Sequence, residues 1–361
     1  MFIVMNRPCG ALIARQQTSG GARSIYNAYG STTRRLELHR PLAAASFVAA
    51  SLLLGAPSAA AEWRVEVLDA PGRVDSIEAH SAAVRIAIGK LCYQTIETKL
   101  VAAACPKPAA PPAGALADGR VAESTGAVAR AWLAAPTSRY DHGVLGDAVE
   151  AGRLTIVRRD GQSGSVTLGN DAVFEDLWPR IVTIDGQPRI VVVKSYLARG
   201  SALAVIDPAT MAIVAETPPI GRPHAWLNPA GVADFDGDGK TDIAVVRQPH
   251  VVGRLELWSF NDGRLVKTAE VPDVANHFIG SRALGLQWVA DFDGDGHPDL
   301  AIPSLDRASL RLISFTPEIH DIARIALPSR VATNIGAVTV AGRLALIAGG
   351  ADGRLMLFQS R

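Results

Sequence analysis

The sequence predicts an all-β chain, a β-propeller of four-stranded blades, and three observations carry that expectation. A strand-like segment recurs along the chain, turn residues surround it, and two copies carry the same acidic nonapeptide in the same place. The recurrent segments begin at residues 85, 153, 189, 242, 299 and 343, with a mean spacing near 52. Short-stranded repeats of about 40–50 residues are characteristic of propeller blades. The 33 glycines and 22 prolines, with Asp-Gly pairs at Asp160, Asp185, Asp262 and Asp352, supply the turns such a fold needs. The count is six blades, with five or seven as alternatives because the first unit matches least well. A β-sandwich or two small β domains is the competing architecture.

Taken in chain order, residues 1–61 read as a leader and signal peptide. Residues 1–40 hold six arginines and one acid, Glu37, and residues 41–61 hold no charge and end in Ala59-Ala60-Ala61. A basic flank, an apolar stretch and small residues at the end make a secretory signal cleaved after Ala61. An uncleaved membrane anchor is the alternative, but Pro57 and the short Leu42–Leu54 core suit a span poorly. The expected location is therefore exported, periplasmic or secreted, with residues 62–361 as the propeller domain. The full chain has 36 basic and 35 acidic residues, and without residues 1–61 the remainder carries a net charge of −4. That excludes the basic footprint of a nucleic-acid binder and a polybasic patch for lipid. No membrane insertion is expected after cleavage.

The segment from Trp63 to Asp69 is strand-like but has no repeat of its own, and the last unit, ending in GRLMLF from Gly353, lacks an outer strand. Pairing the two would complete the last blade and remove a sheet edge. Cys92 and Cys105 lie 13 residues apart. In an oxidising compartment they would close a disulfide, contributing about 3 kcal/mol in the chain-entropy model; two buried thiols are the alternative. The proline-rich run at 106–114 reads as a surface loop. The units at Arg153 and Arg189 follow, with second strands from Ser165 and Ser201, and then the two acidic units.

In the first acidic unit, Asp234, Asp236 and Asp238 alternate with Phe235 and Gly237, and Asp242 closes the loop at its ninth position. The second unit repeats the pattern with Asp291, Asp293, Asp295 and Asp299. Alternate spacing in a tight loop turns carboxylates toward one point, and Gly239 permits the sharp turn that follows. The backbone carbonyls of Lys240 and His297 are placed to add a ligand each. Ca²⁺ takes six to eight oxygens in flexible geometry and suits this donor set better than Mg²⁺. The twelfth positions are Val245 and Ile302, inside strand-like runs, so these are not EF-hands. The expectation is two Ca²⁺ sites.

The runs DFDGDGKTD and DFDGDGHPD, followed by IAVV and LAIP, resemble the FG-GAP or VCBS-type repeats of integrin-α-like β-propellers. The resemblance implies that each loop joins two strands of a blade and that its four aspartates hold one Ca²⁺. Arg85, Arg153, Arg189 and Arg343 stand at the ninth position elsewhere, so those units are expected to bind none. By the same resemblance the chain is a non-catalytic binding or scaffold module for a protein or glycan. A polysaccharide-acting lyase or hydrolase is the alternative, and it would need acidic and basic side chains converging in the central channel. The histidines are scattered, with no H-x-x-x-H or H-E-x-x-H pair to suggest zinc. Trp132, Trp178, Trp226 and Trp288 are expected to pack the blades. The segment from Arg222 to His224 is the first place to look for a binding rim.

Overall fold

The computed structural model describes residues 62–80, 83–107 and 110–361, so the leader and its signal lie outside the described residues. Among those described, the chain is all-β apart from one 3₁₀ turn at Gly143–Leu145, and no helix is long and apolar enough to cross a membrane.

Strand β1 (Trp63–Leu68) comes first. A four-stranded antiparallel sheet follows, of β2 (Ser76–His80), β3 (Ala83–Ile88), β4 (Leu91–Ile96) and β5 (Lys99–Ala103). Next come β6 (Ala122–Glu123), β7 (Val128–Thr137), β8 (Glu150–Arg158) and β9 (Ser163–Thr167). The short strand β10 (Ala172–Phe174) bridges these to β11 (Arg180–Ile184), β12 (Gln187–Tyr196), β13 (Gly200–Asp207) and β14 (Ala212–Glu216), giving one nine-stranded sheet. Two further four-stranded sheets hold β15 (Leu227–Ala233) to β18 (Arg264–Val271) and β19 (Trp288–Ala290) to β22 (His320–Ala326). Within them, β16 is Asp242–Arg247, β17 Arg254–Asn261, β20 Asp299–Pro303 and β21 Ser309–Ser314. Finally β23 (Gly336–Val340), β24 (Arg343–Gly349) and β25 (Leu355–Ser360) form a sheet whose fourth strand is β1, paired antiparallel with β25 from Trp63–Ser360 to Leu68–Leu355.

The middle strands are apolar on both sides because they are sandwiched between neighbouring sheets. In β12, Ile190 and Val192 point to the layer shared with β7 and β8, while Val191 and Val193 point to the layer shared with β15 and β16. The next layer sets Ala244, Val246, Leu255 and Leu257 against Leu300, Ile302 and Ile313. Two more join Leu310 and Leu312 to Met356 and Phe358, and Ile347 and Leu357 to Ile77 and Ile86. Alternation of period two thus gives each middle strand two buried faces. Among the described residues no comparable apolar cluster joins β2–β5 to β6–β9. A cavity of about 770 Å³ lies there, lined in part by Arg85, Cys105 and Arg120. The guanidinium of Arg120 reaches Glu78 at 3.6 Å. Cys92 and Cys105 are joined by a disulfide that pins the start of the proline-rich segment to β4.

The antiparallel order sends the connections to two ends. Loop 234–241, between β15 and β16, lies at one end. Residues 224–226, 248–253 and 272–287 lie at the other. Gly200 shows how tightly the second end is packed. It has a φ of +73°, and a Cβ there would sit 2.4 Å from the Arg222 carbonyl oxygen and 2.7 Å from that of Ala225. Gly200→Ala is therefore expected to cost more than ~1 kcal/mol, the ordinary penalty of a strained backbone, measured as a lower urea midpoint at unchanged slope.

Candidate metal centre

Each acidic loop is hung on a buried phenylalanine. Phe235 is fully buried and meets Phe315 edge-on at 5.4 Å, and Phe292 meets Trp63 edge-on at 5.6 Å. With the second residue driven into the core, alternation leaves the first and third residues facing out of it. The ninth residue opens the next strand, and Asp242 and Asp299 are both fully buried there. Asp242 Oδ2 accepts the Phe235 N–H at 3.3 Å, and Asp299 Oδ2 accepts that of Phe292 at 2.7 Å. The Ser259 hydroxyl also donates to Asp242 Oδ1.

The remaining aspartates fold each loop on itself. The Gly239 N–H donates to Asp234 and the Gly296 N–H to Asp291, both at 3.0 Å. The Asp238 N–H donates to Asp236 at 3.2 Å and the Asp295 N–H to Asp293 at 3.1 Å. Gly237, Gly239, Gly294 and Gly296 all hold positive φ, which explains the Gly-Asp-Gly spacing. The two loops are neighbours, since a Cβ on Gly237 would come within 2.8 Å of the His297 ring.

One carboxylate oxygen each from Asp234, Asp236 and Asp242 lie within 4.8 Å of one another, and Asp291, Asp293 and Asp299 do the same. Asp238 and Asp295 stand outside these groups. Asp238 accepts the Lys240 N–H at 2.8 Å and faces the Lys240 ammonium at 3.5 Å; Asp295 accepts the His297 N–H at 2.8 Å and the Thr316 hydroxyl at 2.7 Å. The structure therefore gathers the first, third and ninth positions of each loop and ties the fifth to the turn.

Two observations fit a cation. Asp234 Oδ1 and Asp299 Oδ1 are buried without a hydrogen-bond partner. Burial, with the charges of Asp293 and Asp295 nearby, also pushes the Asp299 carboxyl up to about 6, and burial raises Asp242 above the usual carboxylate range. A buried carboxylate held beside others is costly unless a positive charge meets it. The donors are all oxygens, as a hard cation requires. Asp242 also has a role without metal. Asp242→Ala strands the Phe235 N–H and Ser259 hydroxyl and is expected to cost about 1–3 kcal/mol even with chelator present, by urea unfolding. Asp236→Ala is expected to cost little under the same condition.

This loop–strand–turn–strand unit, with its acidic clamp, also decides the family of the segment. Residues 234–302 match the FG-GAP-like repeat family. The chain contains an FG-GAP-like repeat. No curated protein matches the sequence. Among solved structures the chain is similar to BBS1N in complex with ARL6DN, at 13% identity over 80% of this chain and 93% of that one, with a TM-score of 0.39. It is also similar to the rhamnogalacturonan lyase YesW, at 14% identity over 82% of this chain and 62% of that one, with a TM-score of 0.39. The exotype rhamnogalacturonan lyase YesX gives 14%, 74%, 53% and 0.39 in the same order. Superpositions this loose carry no argument about chemistry or partner.

The FG-GAP loops occupy one end of the strands, and a cluster that the sequence did not reveal occupies the other. His142, His224, His250 and His277 lie together there with Tyr140, Trp226 and the buried Glu175. They come from four separate connections, so no sequence motif links them. The only local hints are Asp141-His142, Pro249-His250 and Asn276-His277 at loop positions between strands, and the Arg222–His224 segment already singled out. Beside them Glu150 is buried, and burial together with the Glu175 carboxylate pushes its carboxyl up to about 10. A carboxyl raised on folding contributes stability that is complete below its unfolded value and is lost as pH rises toward its folded one. Glu150→Gln should therefore raise the unfolding midpoint more at pH 8 than at pH 5.

Proposed function

We propose that this chain is an exported, calcium-binding β-propeller of six four-stranded blades that acts as a non-catalytic binding or scaffold module for a protein or glycan. The observation that carries it is the pair of adjacent FG-GAP loops, each with a buried, partnerless carboxylate oxygen beside two other acidic groups. Asp234, Asp236 and Asp242 would hold one Ca²⁺ and Asp291, Asp293 and Asp299 the other, with Asp238, Asp295 and the carbonyls of Lys240 and His297 completing the sets. Bound there, calcium supplies charge neutralisation and rigidity rather than reaction chemistry. The six-blade count rests on six sets of strands, two of them fused through β10, and closure of the ring rests on the pairing of β1 with β25. The leader at 1–61 supports export.

The test is an affinity capture from envelope extract with and without chelator, run beside a glycan array. Calcium-dependent capture of one partner, or binding to one glycan class, is expected. One observation favours the enzymatic alternative. A cavity of about 190 Å³ at the inner strands is lined by Glu78, Arg120, Trp178, Gln287, Trp288 and Asn334, side chains of both charges. Turnover of an envelope polysaccharide, lost in Glu78→Gln, would replace the scaffold reading.

A further inference from the structure

Five apolar layers join neighbouring sheets, but none joins β2–β5 to β6–β9. The faces that flank this seam are polar. In the first sheet Ile77 and Ile86 pack on the last sheet, so period-two alternation turns Glu78 and Arg85 to the other side. Those two lie opposite one another in the register, and Arg85 Nη1 donates to Gln94 Oε1 at 3.2 Å on the same face. In the second sheet Ala131, Leu133, Leu154 and Ile156 pack toward β12 and β13. Alternation therefore turns Arg130, Trp132, Arg153 and Thr155 away from that layer. Trp132 is paired with Thr155 and Thr155 with Ser165.

The chain that crosses the seam is fastened to both sheets. Its start is tied to β4 by the Cys92–Cys105 disulfide. Its far part is tied to β7, where the Leu116 N–H donates to the Leu133 carbonyl oxygen at 3.1 Å and the Ala135 N–H to that of Gly114 at 2.9 Å. Arg120 is fixed as well. Its N–H donates to the Leu177 carbonyl oxygen at 2.8 Å, and its guanidinium lies over the Trp178 ring at 5.0 Å and reaches Glu78 at 3.6 Å. The space enclosed is the cavity of about 770 Å³, whose lining includes Glu78, Arg85, Lys107, Arg120 and Glu123. That volume falls within the roughly 300–1,000 Å³ of small-molecule sites.

The charge of the seam runs against that of the domain. Arg85, Lys107, Arg120, Arg130 and Arg153 stand there against Glu78 and Glu123, an excess of three positive charges (five less two), whereas residues 62–361 as a whole carry −4. An anionic occupant is the one this charge favours. The chain's own leader is basic, with six arginines in residues 1–40, so the same charge repels it. We propose that this seam binds an acidic glycan, a uronate-bearing oligosaccharide. The proposal rests on the binding-module reading above and narrows its ligand to one class. Arg85, Arg120 and Arg153 meet the carboxylates, since a guanidinium fork matches a carboxylate in two parallel hydrogen bonds. Gln94, Thr155 and Ser165 offer amide and hydroxyl partners for ring hydroxyls, and the half-buried Trp132 supplies an aromatic surface beside them.

The test is isothermal titration of the purified protein, in excess calcium, with tetramannuronate. Two controls run beside it: mannotetraose, which has hydroxymethyl groups in place of the carboxylates, and tetraglutamate, which has the carboxylates without the rings. One equivalent of tetramannuronate is expected to bind, more weakly as salt rises, with both controls at least about tenfold weaker. Arg85→Gln and Arg153→Gln should each weaken binding by about tenfold, the effect of losing one charge-assisted hydrogen bond. Arg153 is exposed, so its variant keeps the fold and decides the matter if Arg85→Gln does not. The absence of binding, mannotetraose or tetraglutamate bound as tightly as tetramannuronate, or affinity unchanged in the Arg85→Gln, Arg153→Gln double variant overturns the site. A partner captured from envelope extract despite that result would leave the binding-module reading standing, so the two fail separately.

Discussion

A protein lacking residues 62–68 is expected to lose cooperative unfolding altogether. Those residues form β1, which pairs with β25 over six consecutive positions. Without them β25 becomes an open edge, ready to pair with another chain. The apolar loss is also large. Leu68 is buried in the layer between the last sheet and β2–β5, and Trp63 and Val65 pack on the layer containing Met356 and Phe358. Truncating one buried aromatic usually costs about 3–5 kcal/mol, and a domain has only about 5–15 kcal/mol in total. Size-exclusion chromatography and near-ultraviolet circular dichroism check this outcome. A monomer with the parent melting temperature would sink it, whereas rescue by a peptide of sequence 62–69 would support it directly.

The second large effect is a calcium-dependent melting temperature. An ion that binds only the folded chain stabilises it by about 2.7 kcal/mol at one hundred times its dissociation constant. Two such sites, at roughly 2 °C or more per kcal/mol for a domain of this size, give a rise on the order of 10 °C. Extracellular modules bind calcium at roughly 10⁻⁴–10⁻³ M, so the rise should develop over the millimolar range and beyond. Asp236→Ala together with Asp293→Ala is expected to abolish the dependence while leaving the chelated protein near its parent midpoint. Differential scanning calorimetry in chelator and in rising calcium separates the two. An unchanged melting temperature at millimolar calcium would argue that the loops hold no ion.

Much of this architecture was legible because local and global signals agree. The apolar runs that begin at Arg189 and Arg343 read as recurrent strands, and they are middle strands. The nonapeptides were legible because their chemistry is contiguous, with alternation, glycine turns and the ninth aspartate all within one loop. The fifth aspartate was harder, since spacing alone cannot say that Asp295 will turn to the Thr316 hydroxyl rather than to its neighbours. The bridging strand β10 was missed because Ala172–Phe174 is three residues long and has no period to detect. The histidine cluster was missed for a different reason. His142 and His277 are 135 positions apart in sequence, and only the antiparallel order of four units brings their loops to one end.

The pairing of β1 with β25 has a mechanical consequence. Trp63 lies opposite Ser360, and the Arg361 N–H donates to the Glu62 carbonyl oxygen at 3.1 Å. The two ends of the folded domain therefore leave from one point. A tension applied between them opens this ladder one rung at a time, like a zip, instead of shearing all its rungs together. Pulled through its ends the domain should yield at low force, with β1 peeling away first. Pulled through Asp185 and Asp306, which lie in turns of two other sheets, it should resist far longer. Single-molecule force spectroscopy with those two attachment geometries would report the difference as two distinct unfolding forces.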